Sequence, residues 1–213
     1  MPLRINEIFH SIQGESTHVG RPCVFVRLTS CDLRCRFCDT EYAFFEGTER
    51  SIDEIVNEVG RFGCRLVEVT GGEPLIQRET TVLLSRLLEA GHEVLLETSG
   101  AWPVEDVPAG VRIIMDLKTP GSGMVSRNRW ENLRHLDCED EIKFVICDRE
   151  DYEWARGVVG EHGLAERHAV LFSPAWGEVD PAELADWILA DRLLVRLQLQ
   201  IHKHIWGAGV RGV

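Results

Sequence analysis

Along almost its whole length the chain alternates short apolar runs with segments of helical period, and that alternation restricts it to a small set of folds. Cys23 to Leu28 reads as a strand. Ser51 to Gly60 reads as a helix, with Ile52, Ile55, Val56 and Val59 on one face and Ser51 with Glu54 as a capping box. Leu66 to Val69 is the next strand, followed by a helix from Thr80 to Ala90 with Leu83, Leu84, Leu87 and Leu88 inward and Gly91 as its stop. Val94–Glu97, Arg112–Met115 and Ile142–Ile146 read as strands, and a helix is expected around Asp151 to Glu161. Ala169–Phe172 precedes a helix capped by Asp180 with Pro181 in its first turn, and Leu197–Ile201 reads as a closing strand. Strands separated by helices imply right-handed crossovers and a parallel sheet, open or curled toward a barrel. At 213 residues the chain falls short of a full eight-fold barrel, which takes roughly 250. No repeat, low-complexity tract or flexible linker divides it, so residues 1–213 read as one domain.

Arg27, Thr70, Glu97, Thr98, Asp116, Lys118, Ser173, Gln200 and His202 all fall at or just beyond the carboxyl ends of expected strands. In parallel α/β folds that edge binds ligands. The competing reading is that strand ends are polar because they meet solvent. The connections Thr29–Arg50 and Thr119–Asp140 are long for such a fold, and long ordered loops usually carry function.

Composition narrows the partners. With 23 Lys and Arg against 35 Asp and Glu, the formal charge of -12 repels phosphate backbones, so a nucleic acid is not expected as partner. No apolar run reaches the 18 or so residues of a membrane span, and the start lacks a secretory pattern, so a cytoplasmic location with no membrane partner is expected. Seven cysteines in such a chain argue against a disulfide framework. Cys31, Cys35 and Cys38 are crowded into eight polar residues, a spacing that can hold three irons of a 4Fe-4S cluster and leave the fourth open. Zinc is the alternative, with His18, Asp39 or His202 as its fourth ligand. Cys23, Cys64 and Cys147 read as buried small hydrophobes. Cys138 has no assignment. The six tryptophans read as core or interface residues, Trp176 as a border of the site, and His92, His135, His162 and His168 as surface residues.

The Cys-x-x-x-Cys-x-x-Cys run with Phe37 before its last cysteine resembles the signature of the radical S-adenosylmethionine superfamily. Gly71-Gly72-Glu73-Pro74 and Glu97-Thr98-Ser99-Gly100 are similar to two further motifs of that superfamily. Ile8 to Ser16, Cys38-Asp39-Thr40, Met115 to Pro120 and Leu199 to Gly207 resemble, more narrowly, the 7-carboxy-7-deazaguanine synthase family. The opening motif departs in His10, where an aromatic is usual, and in Ser16, where glycine is usual. The resemblance implies a partial, incomplete parallel β/α barrel of the radical S-adenosylmethionine type. It further implies a carbon–nitrogen lyase that contracts 6-carboxy-5,6,7,8-tetrahydropterin, with loss of ammonia, to the 7-deazapurine precursor of queuosine.

The site residues follow from that resemblance. Cys31, Cys35 and Cys38 hold the 4Fe-4S cluster. Phe37, Cys38, Asp39, Gly72, Ser99, Asp116 and Lys118 meet S-adenosylmethionine. Ile12, Gln13, Gly14, Glu15, Arg27, Thr70 and the main-chain carboxylate of Val213 meet the pterin, Arg27 gripping its carboxylate through a bidentate pair that lysine cannot reproduce. Thr40, with Asp39, is the implied ligand of Mg2+. No side chain is expected to act as the catalyst, since the radical forms on S-adenosylmethionine and takes hydrogen from the ring carbon that bears the carboxylate. A flavodoxin- or ferredoxin-type electron donor and a homodimer are implied as partners. Two rival readings are another radical enzyme, such as a glycyl-radical activase, and a zinc-stabilised module without catalysis.

Overall fold

The computed structural model describes all 213 residues, and its centre is one nine-stranded sheet with the order β3-β1-β2-β4-β5-β6-β7-β8-β9. The parallel body comprises β2 (Pro22–Leu28), β4 (Leu66–Gly71), β5 (Glu93–Thr98), β6 (Val111–Asp116), β7 (Glu141–Ile146), β8 (Ala169–Pro174) and the two-residue β9 (Arg196–Leu197). The sheet is not closed. Its other edge is antiparallel: β1 (Leu3–Ile12) pairs with both β2 and β3 (Thr48–Arg50).

Period-2 alternation gives each parallel strand an apolar outer face and a mixed inner one. Outward, Val24, Val26, Leu28, Val67, Val69, Val94 and Leu96 pack under α1 (Ile52–Arg61) and α2 (Thr80–Glu89). Ile113, Met115, Ile142, Phe144, Val170 and Phe172 pack against α3 (Arg149–His162) and α4 (Pro181–Ala190). Each of these buried side chains contributes roughly 1.5 to 3 kcal/mol of transfer free energy. Inward, Phe25, Leu66, Leu95 and Ile114 form a small apolar floor. One step further along the same strands come Arg27, Glu68, Glu97 and Asp116, joined by Lys143 of β7 beside Asp116, a charged layer above that floor.

The structure departs from the sequence reading in three places. The strand β1 was unforeseen because a bulge between Ile5 and Glu7 breaks its alternation. Leu197–Ile201 is not a strand. Beyond Leu197 the chain leaves the sheet edge, because Ile201 N–H donates to Gly14 O and residues Ile201–Trp206 then form the short helix α5. The crossovers after β5 and β6 contain turns and 3-10 segments in place of α-helices. By contrast, the Ser51–Glu54 capping box and the Asp180 cap before Pro181 are both present.

The segment Gln13 to Arg21 threads down the open side of the sheet. Ser16 N–H donates to Gln198 Oε1 (2.7 Å), Thr17 Oγ to Glu141 (2.5 Å) and Arg21 to Glu93 (2.6 Å), so the segment substitutes for the strands a closed barrel would have. His18 is buried beside Arg21 and Glu93 at the foot of this segment, away from the cysteine loop, and is no partner for a metal held there. His168, expected on the surface, is buried. Cys23 and Cys147 are buried as expected, whereas Cys64 is half-buried. None of the six tryptophans is fully buried: Trp102, Trp154 and Trp187 are half-covered and Trp130, Trp176 and Trp206 exposed. No helix is long and apolar enough to cross a membrane.

Candidate active site

The carboxyl ends of the strands, the loops that follow them and Gln13–Glu15 enclose a cavity of about 490 Å³. All of the residues assigned above to cluster, S-adenosylmethionine, pterin and magnesium line it, from Ile12 in β1 to Val213 in the tail.

One wall is the cysteine loop. It is anchored from below by the buried Leu33 and braced by Arg34, whose guanidinium donates to the carbonyls of Cys31 and Leu33 and lies 4.2 Å from the Phe44 ring centroid. Cys38 N–H donates to Cys35 O, turning the last two cysteines toward the cavity. The Gly71–Gly72 pair is required by close approach. A Cβ on Gly72 would sit 2.2 Å from Ser30 O and 2.8 Å from Cys31 Cβ, and Gly71 has φ +150° with no room beside the Leu28 backbone. Glu73 then locks the end of β4 to the end of β5, its fully buried carboxylate accepting from Thr98 Oγ, from Ser99 N–H and Oγ, and from Leu75 N–H.

The donor set of this wall fits a cluster. Its three thiols are free, half-exposed and on one cavity. No three Cys, His, Asp or Glu side chains converge on one ion-sized position, as the closed tetrahedral cage of structural zinc would need. Burial pushes the Cys31 thiol up to about 11 and raises Cys35 and Cys38, while the neighbouring Lys118 ammonium pulls all three the other way. Positive charge from iron would complete their conversion to thiolates. Lys118 is buried and paired with Asp116 (2.9 Å), and the other Asp116 oxygen, Oδ1, is buried without a partner, an acceptor left over for a ligand hydroxyl or amine.

A second wall, joined to the first through Asp116, is crowded with charge. Lys143 Nζ, buried, donates to Glu97 and to Glu15 (3.0 Å) and lies 3.8 Å from Asp116. Burial opposes its charge, but the Glu15 and Glu97 carboxylates outweigh burial and hold the ammonium well above the ordinary lysine value. Burial opposes ionisation of Glu15 too, and there Lys143 and the Gln200 amide win, keeping the carboxyl below its usual range. Glu68 goes the other way. Burial and then the neighbouring Glu97 and Glu15 push it well above its ordinary value, and its carboxyl accepts from the Gln13 amide.

Asp39 belongs to a third group. Burial opposes its charge, yet Lys203 Nζ at 2.5 Å and the Thr40 hydroxyl at 2.9 Å hold it below its ordinary value.

Sequence reasoning misses Glu68, Lys143 and Lys203. Glu68 and Lys143 carry a legible signal: each is a charge set between apolar neighbours in a strand, Glu68 two residues before the strand end that pairs with Arg27 and Lys143 directly beside Asp116 in the β6–β7 ladder. Lys203 carries none, because the run Leu197–Ile201 reads as a strand and leaves no reason to expect the helix α5 on which Lys203 sits.

An open sheet whose first parallel strand feeds a three-cysteine loop, with a glycine pair pressed on that loop, defines the radical S-adenosylmethionine class. Residues 26–120 match the Radical SAM superfamily. The crystal structure of QueE from Escherichia coli has the same fold, with TM-score 0.78 and 22% identity over 93% of this chain and 94% of that one. Full-length relatives are closer in sequence. The chain is 49% identical to the 7-carboxy-7-deazaguanine synthase of Koribacter versatilis, over 99% of this chain and all of that protein. It is 47% identical to the one from Chlorobaculum tepidum, over 100% of this chain and 98% of that protein. The chain belongs to the 7-carboxy-7-deazaguanine synthase family.

Proposed function

We propose that the cavity performs the reaction of that family, the ring contraction of 6-carboxy-5,6,7,8-tetrahydropterin to 7-carboxy-7-deazaguanine with loss of ammonia. The observation that carries the reading is the full-length match to the two synthases together with the convergence on one cavity of the residues assigned to cluster, S-adenosylmethionine, pterin and magnesium. Cys31, Cys35 and Cys38 would hold the cluster, which with S-adenosylmethionine would supply the one-electron chemistry that removes hydrogen from the carboxylate-bearing ring carbon. The chain's own part is positioning. Arg27, at the end of β2, offers a planar pair of donors to the substrate carboxylate, and Thr70 lies beside it across the β2–β4 ladder. Ile12, Gln13, Gly14 and Glu15 face the aminopyrimidine edge, with Glu15 kept ionised by Lys143 as an acceptor for ring N–H groups. Val213 borders the same space. Phe37, Cys38, Asp39, Gly72, Ser99, Asp116 and Lys118 form the part of the lining that would hold S-adenosylmethionine.

The oxygen donors Thr40 and Asp39 suit magnesium, which would have to share Asp39 with the Lys203 ammonium. A flavodoxin- or ferredoxin-type donor, a homodimeric assembly and a cytoplasmic location complete the reading.

Anaerobically reconstituted protein given S-adenosylmethionine, reductant, magnesium and the carboxytetrahydropterin is expected to release 7-carboxy-7-deazaguanine and ammonia. Release of 5'-deoxyadenosine with no deazapurine would reject the assignment.

A further inference from the structure

The bulge in β1 has a chemical consequence. By inserting a residue between Ile5 and Glu7 it brings Glu7 directly opposite Arg27 in the antiparallel ladder. Arg27 Nε donates to Glu7 Oε1 at 2.8 Å, and the Tyr42 hydroxyl donates to the same oxygen at 3.0 Å. Both members of the ion pair are largely covered, with side chains 16% and 21% exposed. The guanidinium lies 5.7 Å from the Phe9 ring centroid and 5.9 Å from that of Tyr42. Arg27 lines the cavity, whereas Glu7 and Tyr42 lie behind it. The tail closes over the back of this group: the Arg211 guanidinium lies 3.7 Å from the Tyr42 ring centroid, and a Cβ on Gly212 would sit 3.8 Å from Glu7 Oε2.

A guanidinium presents two edges to a carboxylate, the side edge of Nε with one terminal nitrogen and the end edge of both terminal nitrogens. Glu7 occupies Nε. What faces the cavity is therefore the end edge, with the Phe9 and Tyr42 rings packed close to the guanidinium. We infer that Glu7, braced by Tyr42, is a positioning residue that aims the terminal nitrogens of Arg27 at the substrate carboxylate and so sets the preference for a carboxylated pterin. The inference rests on the assignment of Arg27 to that carboxylate. Glu7 also cancels the formal charge of Arg27, so recognition depends on directed hydrogen bonds more than on net attraction. Freed of Glu7, the guanidinium swings about its long stem, and the entropy of re-ordering it falls on every binding event.

The test uses reconstituted holoenzyme in four forms: wild type, Glu7→Ala, Glu7→Gln and Arg27→Met. Steady-state KM and kcat are measured for the carboxytetrahydropterin, alongside the inhibition constant of tetrahydropterin lacking the carboxylate. Glu7→Ala is expected to raise KM roughly ten-fold and change kcat less than about three-fold, the pattern of lost ground-state positioning. Glu7→Gln keeps an acceptor for Nε and should return KM to within about three-fold of wild type, since orientation and not charge is the property at issue. The inhibition constant of the carboxylate-free pterin should be the same in wild type and both Glu7 variants, which separates lost aim from a collapsed site. Wild-type KM in Glu7→Ala, equal impairment in Glu7→Gln, or a parallel rise in the inhibition constant would each overturn the inference. Arg27→Met reads the underlying assignment by itself: if it binds the carboxylated and carboxylate-free pterins with wild-type preference, Arg27 does not hold the carboxylate and the role of Glu7 falls with it.

Discussion

The two walls of the cavity solve opposite problems. The cysteine wall is built from backbone: Gly72 is pressed against Ser30, Glu73 collects four donors from the ends of β4 and β5, and Lys118 is the one buried cation beside the thiols. The other wall is built from side-chain charge, with Lys143 drawn between Glu15 and Glu97 and with the Glu68 carboxyl raised by burial and then by the same two carboxylates. A cluster needs a rigid cradle whose polar groups are already satisfied. A planar heterocycle rich in N–H and C=O groups needs acceptors and donors held ready but not exhausted. One sheet thus separates stiffness from charge, with the first on the side proposed for S-adenosylmethionine and iron and the second on the side proposed for substrate.

The largest effect expected from that contrast is at Lys143. Removing one partner of a buried ionic network leaves the others uncompensated, at a cost of about 3 to 5 kcal/mol. Lys143→Met strands Glu15 and Glu97, so its thermal midpoint should fall sharply, while adding Glu15→Gln and Glu97→Gln recovers much of the loss. Arg86→Met, which breaks an exposed pair with Asp53, is the control and should cost no more than about 1 kcal/mol. Equal losses in the two single variants would show that the charged wall is ordinary surface electrostatics.

A glycine on each wall gives the next test, by placing one methyl group against backbone and one against a side chain. A Cβ on Gly72 meets the carbonyl of Ser30 at 2.2 Å, which cannot yield without moving the cysteine loop; a Cβ on Gly14 meets the His202 ring at 2.1 Å. Overpacking of this kind costs typically about 1 to 3 kcal/mol. Gly72→Ala should lower the iron and sulfide bound per chain after reconstitution. Gly14→Ala should leave iron content at the wild-type level and raise KM for the pterin, because its neighbour lies on the side proposed for the substrate. Loss of iron in both, or in neither, would erase the distinction between the walls.

The same division explains how much of the molecule is legible in its sequence. The cysteine wall is local: Cys31, Cys35 and Cys38 share eight residues, and Gly72 and Ser99 each stand at the end of a strand marked by its own apolar run, so spacing alone exposes them. The outer cores are equally legible, since Leu83, Leu84 and Leu87 or Ile55 and Val59 repeat at helical period. The charged wall is not local. Glu15, Glu68, Glu97 and Lys143 come from a crossing segment and three separate strands, and only the register of the sheet brings them together. Strand β1 is hidden by its bulge. The Leu197–Ile201 error arises because Leu197, Leu199 and Ile201 do alternate, but a tertiary hydrogen bond to Gly14 draws the chain away from the sheet.

The smallest effect compares two buried carboxyls, one per wall, and its sign differs between them. Glu68 has a folded value raised well above its ordinary 4.5, so its stabilising contribution is complete below that pH and is lost as pH rises through the folded value. Glu68→Gln keeps an acceptor for the Gln13 amide and has no proton to lose. Wild type and Glu68→Gln should therefore have similar thermal midpoints at pH 5, and the variant should be the more stable at pH 8 by about 1 kcal/mol or more, each pH unit of unshared proton being worth about 1.4. Any pH dependence of the cluster itself is common to both proteins and cancels in the difference. Glu73 is also raised by burial, but its carboxylate accepts charge-assisted bonds from Ser99 and Thr98 that oppose the rise. Glu73→Gln weakens those bonds and puts an amide N–H against donors, so it should destabilise at both pH values. If the two substitutions shift the midpoint in the same direction at pH 8, the walls do not differ in how they treat a buried acid.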